Sequence, residues 1–182
     1  MPDRIQHVAL AIAAIFVSGY VSAADRYDLG RPATPAEIAG WDIDASPSGA
    51  GLPPGHGDVR QGEAIFAAKC ASCHGAHGEG KPMDRLVGGI GTLHDKKPER
   101  TVGSFWPYAT TLFDYVHRAM PLNAPQSLTP AEVYAVSAYV LFLNGIVTQN
   151  TTLDADTLAK IKMPNREGFV SAYPTPSASA KP

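Results

Sequence analysis

Two cysteines separated by two residues and followed at once by a histidine form the strongest chemical pattern in the sequence. The segment reads Cys70-Ala71-Ser72-Cys73-His74. On a helical turn, this spacing lets two thiols add to the two vinyl groups of haem while the adjacent imidazole faces the iron. The pattern therefore predicts one covalent haem c, attached at Cys70 and Cys73, with His74 as an iron ligand.

Two other kinds of site also use a Cys-x-x-Cys pair. A thioredoxin-like redox pair would need a strand-to-helix setting, which the sequence around Cys70 lacks. A zinc site would need a second pair of ligands, and the pattern supplies half of one. Haem attachment is therefore the favoured interpretation.

A six-coordinate electron carrier needs a second axial ligand in addition to the histidine of the motif. The distal candidates are Met83, Met120, Met163, His77, His94 and His117. Met83 and His77 are poor candidates, because the chain between them and His74 can hardly wrap around the macrocycle edge to the opposite face.

Met120 is the favoured second ligand. It follows the second predicted helix and precedes Pro121, where the chain can cross the distal face. His117 lies one helical turn earlier and could compete, whereas Met163 falls outside the predicted core. Thioether ligation raises the reduction potential relative to two imidazoles, and a filled coordination sphere argues against oxygen or peroxide chemistry. No catalytic acid, base or nucleophile is predicted.

Three helices are predicted to position these residues. Capping signals and apolar spacing place them over residues 59–73, between Pro107 and Met120, and from the capping box Thr129-Pro130-Ala131-Glu132 to Leu143. No strand-like alternation persists long enough to build a sheet. The sequence therefore predicts an all-α fold.

The first and third helices are expected to cross closely. Gly62, Phe66 and Cys70 are spaced four apart and so share one face of the first helix, with a glycine where another helix can approach. Tyr139 on the third helix is the expected neighbour. Such a crossing would itself close the haem pocket.

Two aromatic residues just before the second helix are candidate haem contacts. Trp106 and Tyr108 carry N–H and O–H groups that could hydrogen-bond to buried haem propionates, which would lower the cost of burying that charge. Packing in the core explains both side chains equally well.

The composition is that of one ordinary domain with tails. The chain has 182 residues, 45% of them hydrophobic, and a formal charge of -2. Without a basic block or stripe, neither nucleic acid nor an acidic lipid surface is an expected partner. The chain is predicted to divide into a signal peptide (1–24), an extended arm (25–57), a haem domain (58–147) and a partly disordered C-terminal extension (148–182).

The first of these segments predicts export to the periplasm. A short polar start leads into an apolar stretch and then small residues, with cleavage expected near Ala24 and no membrane span left after it. The arm is rich in Gly and Pro, with one short helix expected after Thr34 and ending near Gly40. In the extension, a short helix over residues 153–161 precedes a tail that is expected to be disordered from Pro174.

Residues from Asp58 to Gly145 resemble class I cytochromes c. The resemblance rests on the motif ending at His74, the Gly62/Phe66 spacing, Met120 and the capped third helix. It implies a class I cytochrome c fold, with three main helices around one covalently bound haem.

A narrower resemblance, to the cytochrome subunit of Sox-type sulfane or sulfite dehydrogenases, covers nearly the whole mature chain. In that family the cytochrome works beside a molybdenum-cofactor subunit, and the haem takes the electrons away one at a time. The resemblance therefore implies an electron-accepting subunit that passes electrons to a downstream cytochrome or oxidase. It is carried by the segments RPATPAEIAGWDID, GLPPGHGDVRQGEAIF, GGIGTL, KPERTVGSFWPYATTLFDYVHRAMPLNAPQSL and MPNREGF.

This sequence departs from the family pattern at one position. Class I cytochromes usually have a proline carbonyl, some way past the motif, that accepts a hydrogen bond from the proximal imidazole. Here Pro82 comes early and Leu86 occupies the region where a Pro-x-Leu would be expected. Pro82 is therefore only a candidate acceptor and haem contact.

Some family members carry two haems, whereas the two cysteines of this sequence can attach one.

Two other functions remain open from the sequence. A free shuttle could carry electrons to a terminal oxidase or serve another periplasmic dehydrogenase, with the arm and tail as solvated extensions. A haem enzyme or gas sensor would require an open iron site, and Met120 argues against one.

Overall fold

The fold is described from a computed structural model, which covers residues 30–173. The predicted signal peptide, its cleavage site and the tail from Pro174 lie outside the described residues. Among these residues, the chain divides into two units between Ala39 and Gly40. The domain boundaries expected from the sequence stay predictions.

Helices dominate the described part of the chain, and the all-α prediction is confirmed. In chain order the α-helices are α1 (Pro35–Trp41), α2 (Val59–Lys69), α3 (Ala71–His74), α4 (Val102–Phe105), α5 (Ala109–Ala119), α6 (Pro130–Leu143) and α7 (Ala155–Leu158). A 3₁₀ turn spans Thr92–His94, and two short strands, β1 (His56–Asp58) and β2 (Thr152–Asp154), flank the main helices. No helix among residues 30–173 is long and apolar enough to cross a membrane.

Helix α6 forms the centre of the core. Every residue from Val133 to Leu141 is buried, as expected of a helix that is apolar on all sides. Helix α5 packs against α6 through the rings of Phe113 and Tyr134, whose centroids are 4.5 Å apart. The three helices predicted from the sequence are thus the three main helices of the fold.

The predicted close crossing of α2 and α6 is present. A Cβ atom on Gly62 would overlap the carbonyl oxygen of Ala135 and come within 2.8 Å of the Tyr139 Cβ. The rings of Phe66 and Tyr139 lie 5.4 Å apart. Only glycine at position 62 lets the two helices approach this closely, so this residue sets how near α2 lies to α6.

Capping residues begin α2 and α6 where the sequence indicates. The Gln61 amide donates to Asp58 Oδ1 at 2.8 Å, and the Asp58 amide donates to Gln61 Oε1 at 3.0 Å. Thr129 and Glu132 make the same reciprocal pair at the start of α6. Each pair satisfies backbone N–H groups that have no partner within the helix.

The C-terminal extension differs from the prediction. A single helix over residues 153–161 is wrong, because β2 pairs antiparallel with β1 and Asp154 then caps the short α7. Met163 was expected outside the core, but it is only 3% exposed and belongs to the main hydrophobic cluster, as do Leu153 and Leu158. The extension packs on the core through short elements, which leave no helical periodicity in the sequence.

Part of the predicted arm also packs on the core. The Ala45 amide donates to Asp114 Oδ1 on α5 at 2.8 Å, and the Tyr134 hydroxyl on α6 donates to the Pro53 carbonyl at 2.9 Å. The short helix expected after Thr34 is α1, and it ends at Trp41.

Replacing Gly62 with alanine should destabilise the fold strongly. The added methyl group has no room against the Ala135 carbonyl, so we expect the free energy of unfolding to fall by about 2–3 kcal/mol in urea titrations. Gly40 in α1 is the matched control, because open space surrounds its position. Gly40→Ala should leave stability unchanged or raise it by up to about 1 kcal/mol. Equal effects at the two positions would contradict the close crossing.

Candidate haem site

The cysteine and histidine motif occupies a helical turn at the end of α2. Cys70 ends α2 through a bond from its amide to the Phe66 carbonyl at 2.8 Å, and it also precedes α3. The Cys73 and His74 amides both donate to the Cys70 carbonyl, at 3.1 and 3.0 Å. The predicted unbroken helix to Cys73 is wrong, since the backbone leaves the helical region at Cys70 (φ -123°), between α2 and α3.

The two thiols are free, and their environment does not suit disulfide exchange. Cys70 is half-buried and Cys73 is exposed. Burial raises the pKa of Cys70 to about 11, although the Lys69 charge partly opposes this rise. A redox-active pair needs a thiol whose pKa is lowered, so that the thiolate is present at neutral pH. The burial of Cys70 and its raised pKa therefore disfavour the thioredoxin-like alternative.

The His74 ring is held by a backbone carbonyl. Its Nδ1 lies 2.8 Å from the Asp84 carbonyl oxygen, which can only accept, so Nδ1 carries the proton and donates. The remaining nitrogen, Nε2, then has the lone pair that a metal requires. The acceptor is thus Asp84 and not Pro82, because the loop brings the carbonyl two residues further along the chain to the ring.

The loop after the motif folds back onto it. The Gly80 amide donates to the His74 carbonyl at 2.7 Å, and the Met83 amide donates to the Cys73 carbonyl at 2.9 Å. Within the loop, the Glu79 carboxylate accepts from the His77 amide at 2.7 Å. Hydrogen bonds from its own amide and from that of His77 hold the pKa of Glu79 below its usual range. Met83 and His77 therefore belong to the loop on the His74 side.

Met120 lies at the C-terminal end of α5. Its amide donates to the Val116 carbonyl at 3.1 Å, and its half-buried side chain packs against the main core. One turn earlier, His117 packs against Phe113, with ring centroids 5.6 Å apart. The buried Nδ1 of His117 has no hydrogen-bond partner among the described residues. Met163 is enclosed in the hydrophobic cluster.

Trp106 and Tyr108 make contacts within the protein. The Trp106 ring packs edge-on against Tyr115 at 5.8 Å, and the Arg166 guanidinium lies 4.5 Å from the centre of the Tyr108 ring. Both residues are half-buried. These contacts account for their packing, and their role as haem contacts, like that of Pro82, stays a prediction.

Two residues that the sequence analysis missed support the His74 loop. Asp84 acts through its backbone, so no side-chain pattern could have indicated it. Asn144 directly follows the third predicted helix, and its side-chain amide bonds to the Leu86 carbonyl and the Gly88 amide. A polar amide directly after the most apolar helix was the available signal.

The donor set fits haem c. The residues present include two thiols that are not joined in a disulfide, an imidazole whose Nε2 is free for a metal, and the Met120 thioether directly after α5. Zinc would need a fuller set of ligands, and residues 30–173 contain no group of three or more His, Cys, Asp or Glu side chains that could hold a metal.

Comparison with known proteins identifies the family of this chain. Residues 59–144 match the family model for cytochrome c. The chain therefore belongs to the cytochrome c family and is an electron carrier, and this membership implies the covalent haem for which Cys70 and Cys73 are in place. It is also similar to a chain in the crystal structure of the sulfane dehydrogenase SoxCD from Paracoccus pantotrophus, with 45% identity and a TM-score of 0.76 over 83% of this chain and 73% of that one. A comparison with curated protein sequences found no match.

Serine at both motif cysteines should abolish covalent haem attachment, since a hydroxyl does not replace the thiol in forming the thioether. We expect the denatured Cys70→Ser/Cys73→Ser protein to have the mass of the polypeptide alone. Ser72→Ala is the matched control, because Ser72 is exposed in the same turn and should retain full attachment. Haem that stays bound to the denatured double variant would contradict the assignment.

Proposed function

We propose that this chain is a periplasmic cytochrome with one haem that accepts electrons singly from a molybdenum-dependent sulfite or sulfane dehydrogenase. It passes them to a downstream cytochrome or oxidase of the respiratory chain. The 45% identity to a chain of the sulfane dehydrogenase SoxCD carries this proposal. That similarity covers 83% of the chain and so extends beyond residues 59–144, which match the general family.

Each residue of the site has a distinct role in the proposal. Cys70 and Cys73 attach the haem, and two cysteines suffice for one such group. His74 would bind the iron through Nε2, because its Nδ1 donates to the Asp84 carbonyl. Met120, directly after α5, would supply the thioether as the second ligand. When bound, haem c supplies a one-electron couple whose potential the methionine raises.

Leucine at position 120 should open the iron site. A leucine side chain fills similar volume but offers no lone pair, so we expect rapid carbon monoxide binding by the ferrous protein and a lower reduction potential. Met163→Leu is the matched control, because Met163 is buried in the core and should leave the spectrum unchanged. If Met120→Leu keeps the wild-type spectrum and excludes carbon monoxide, another residue is the ligand, and His117→Ala would test the nearest candidate.

The partner is tested by recovering the protein gently from native periplasm through a C-terminal tag. We expect molybdenum to co-elute, and the haem to be reduced on addition of sulfite or thiosulfate. Recovery of a monomeric cytochrome without molybdenum would overturn the dehydrogenase-subunit proposal in favour of a free shuttle. Recovery from the cytoplasmic fraction alone would contradict export.

The start of the arm is proposed to contact the dehydrogenase. Ile38 and Trp41 lie three residues apart on α1 and are 52% and 88% exposed, and large apolar side chains presented on a helix are typical docking groups. Core residues lie between Ala45 and Met163 in the sequence, so a deletion of residues 30–41 should leave the fold intact.

Deleting residues 30–41, or replacing Ile38 and Trp41 together with alanine, should weaken co-elution at least tenfold without changing the haem spectrum. Val170→Ala is the control, since Val170 is also apolar and is 90% exposed, but belongs to another segment. Unchanged co-elution of the deletion variant would rule out this role for the arm.

A further inference from the structure

The Asp84 carbonyl holds the His74 ring, but Asp84 lies in a segment without regular secondary structure. The hydrogen bond to the ring N–H of an iron-bound histidine sets the basicity of that ligand. A carbonyl in such a segment can point at the ring reproducibly only if neighbouring backbone groups are fixed. The bonds that fix them therefore bear on the chemistry of the site.

The residues just after Asp84 are anchored by one side chain from α6. Asn144 Nδ2 donates to the Leu86 carbonyl at 3.2 Å, and Asn144 Oδ1 accepts from the Gly88 amide at 3.1 Å. The Leu86 amide bonds to the Gly78 carbonyl at 2.8 Å, and Thr101 Oγ1 donates to the Gly88 carbonyl at 2.6 Å. The polar backbone groups of Leu86 and Gly88 are thus all satisfied, two of them by Asn144.

The orientation of the Asn144 amide is itself determined. Nδ2 also donates to the Val140 carbonyl at 2.9 Å, so the nitrogen faces two acceptors and the oxygen faces a donor. Asn144 is only 8% exposed, and Gly103 on α4 packs so tightly against it that a Cβ there would overlap Asn144 Oδ1. A buried amide with three such bonds is rigid and costly to displace.

We infer that Asn144 is a positioning residue that sets the His74 to Asp84 hydrogen bond, and through it the reduction potential. The inference rests on the proposed role of His74 as an iron ligand. Asn144 anchors the loop that carries the Asp84 carbonyl to α6, the most buried helix. A strong bond from Nδ1 makes the imidazole a better electron donor and stabilises ferric iron.

Asn144→Leu removes the three side-chain bonds without adding charge. Without these bonds the loop loosens, and the hydrogen bond from His74 to Asp84 weakens. Ferrous iron is then stabilised relative to ferric iron. We expect the ferrous-to-ferric ratio at a fixed ambient potential to rise at least threefold, which corresponds to about 28 mV at 59 mV per decade. The ring N–H proton of His74, followed by NMR in the ferrous holoprotein, should exchange with solvent at least tenfold faster.

Tyr134→Phe is the matched control. Tyr134 is also buried on α6 and donates to a loop carbonyl, that of Pro53, so removing its hydroxyl should also lower the stability of the fold. It should leave both the potential and the His74 proton exchange at wild-type values. Equal shifts in both variants would mean that general loosening, and not Asn144, moves the potential.

Gly103→Ala provides a second perturbation that leaves Asn144 in place. The new methyl group displaces the Asn144 amide, so the potential should shift in the same direction as in Asn144→Leu. If Asn144→Leu does not accumulate in cells, Gly103→Ala tests the role of Asn144 in its place. Wild-type potential and proton exchange in the recovered variants would overturn the inference and leave the proposed function standing. A wild-type protein that shows no haem-shifted His74 ring proton would instead overturn the ligand assignment itself.

Discussion

The close approach of α2 to α6 at Gly62 is the constraint on which the rest of the structure depends. Because a side chain at position 62 would overlap the Ala135 carbonyl, the separation of the two helices is set by backbone contact and not by adaptable side chains. The motif turn begins directly where α2 ends, at Cys70. This crossing therefore sets the position of the motif turn relative to α6. The contact between the Phe66 and Tyr139 rings, just before the turn, supports the same position.

The C-terminal end of α6 supports the same turn through hydrogen bonds. Its last turn is followed by Asn144, whose amide binds the loop that returns to His74. The motif is thus held on one side by helix packing and on the other by hydrogen bonds, and both supports come from one buried helix. Packing fixes the distance between elements, while the directional bonds fix the angle at which a ring is presented. An electron carrier benefits from both, because a rigid ligand set changes little between oxidation states.

Local signals in the sequence account for what could be predicted. The motif, the caps at Asp58 and Thr129, and the glycine at position 62 each act through residues near in sequence or through one steric requirement. The burial of Met163 could not be read in this way, since it depends on the extension pairing with β1 across most of the chain. The role of the Asp84 carbonyl could not be predicted either. Every residue has a backbone carbonyl, and only the fold determines which one accepts the hydrogen bond from the His74 ring.

The hydrophobic core extends beyond the residues that match the cytochrome c family model. The family match ends at residue 144, yet Leu153 and Leu158 are fully buried, and Ala45 and Leu52 pack against the same cluster. Residues on both sides of the family domain therefore complete its core, and a fragment of residues 59–144 would expose apolar surface that the whole chain covers. The segments of the described chain that carry these residues are thus explained by stability. The exposed apolar side chains of α1 are not explained in this way, and they are the part of the arm that we propose contacts the dehydrogenase.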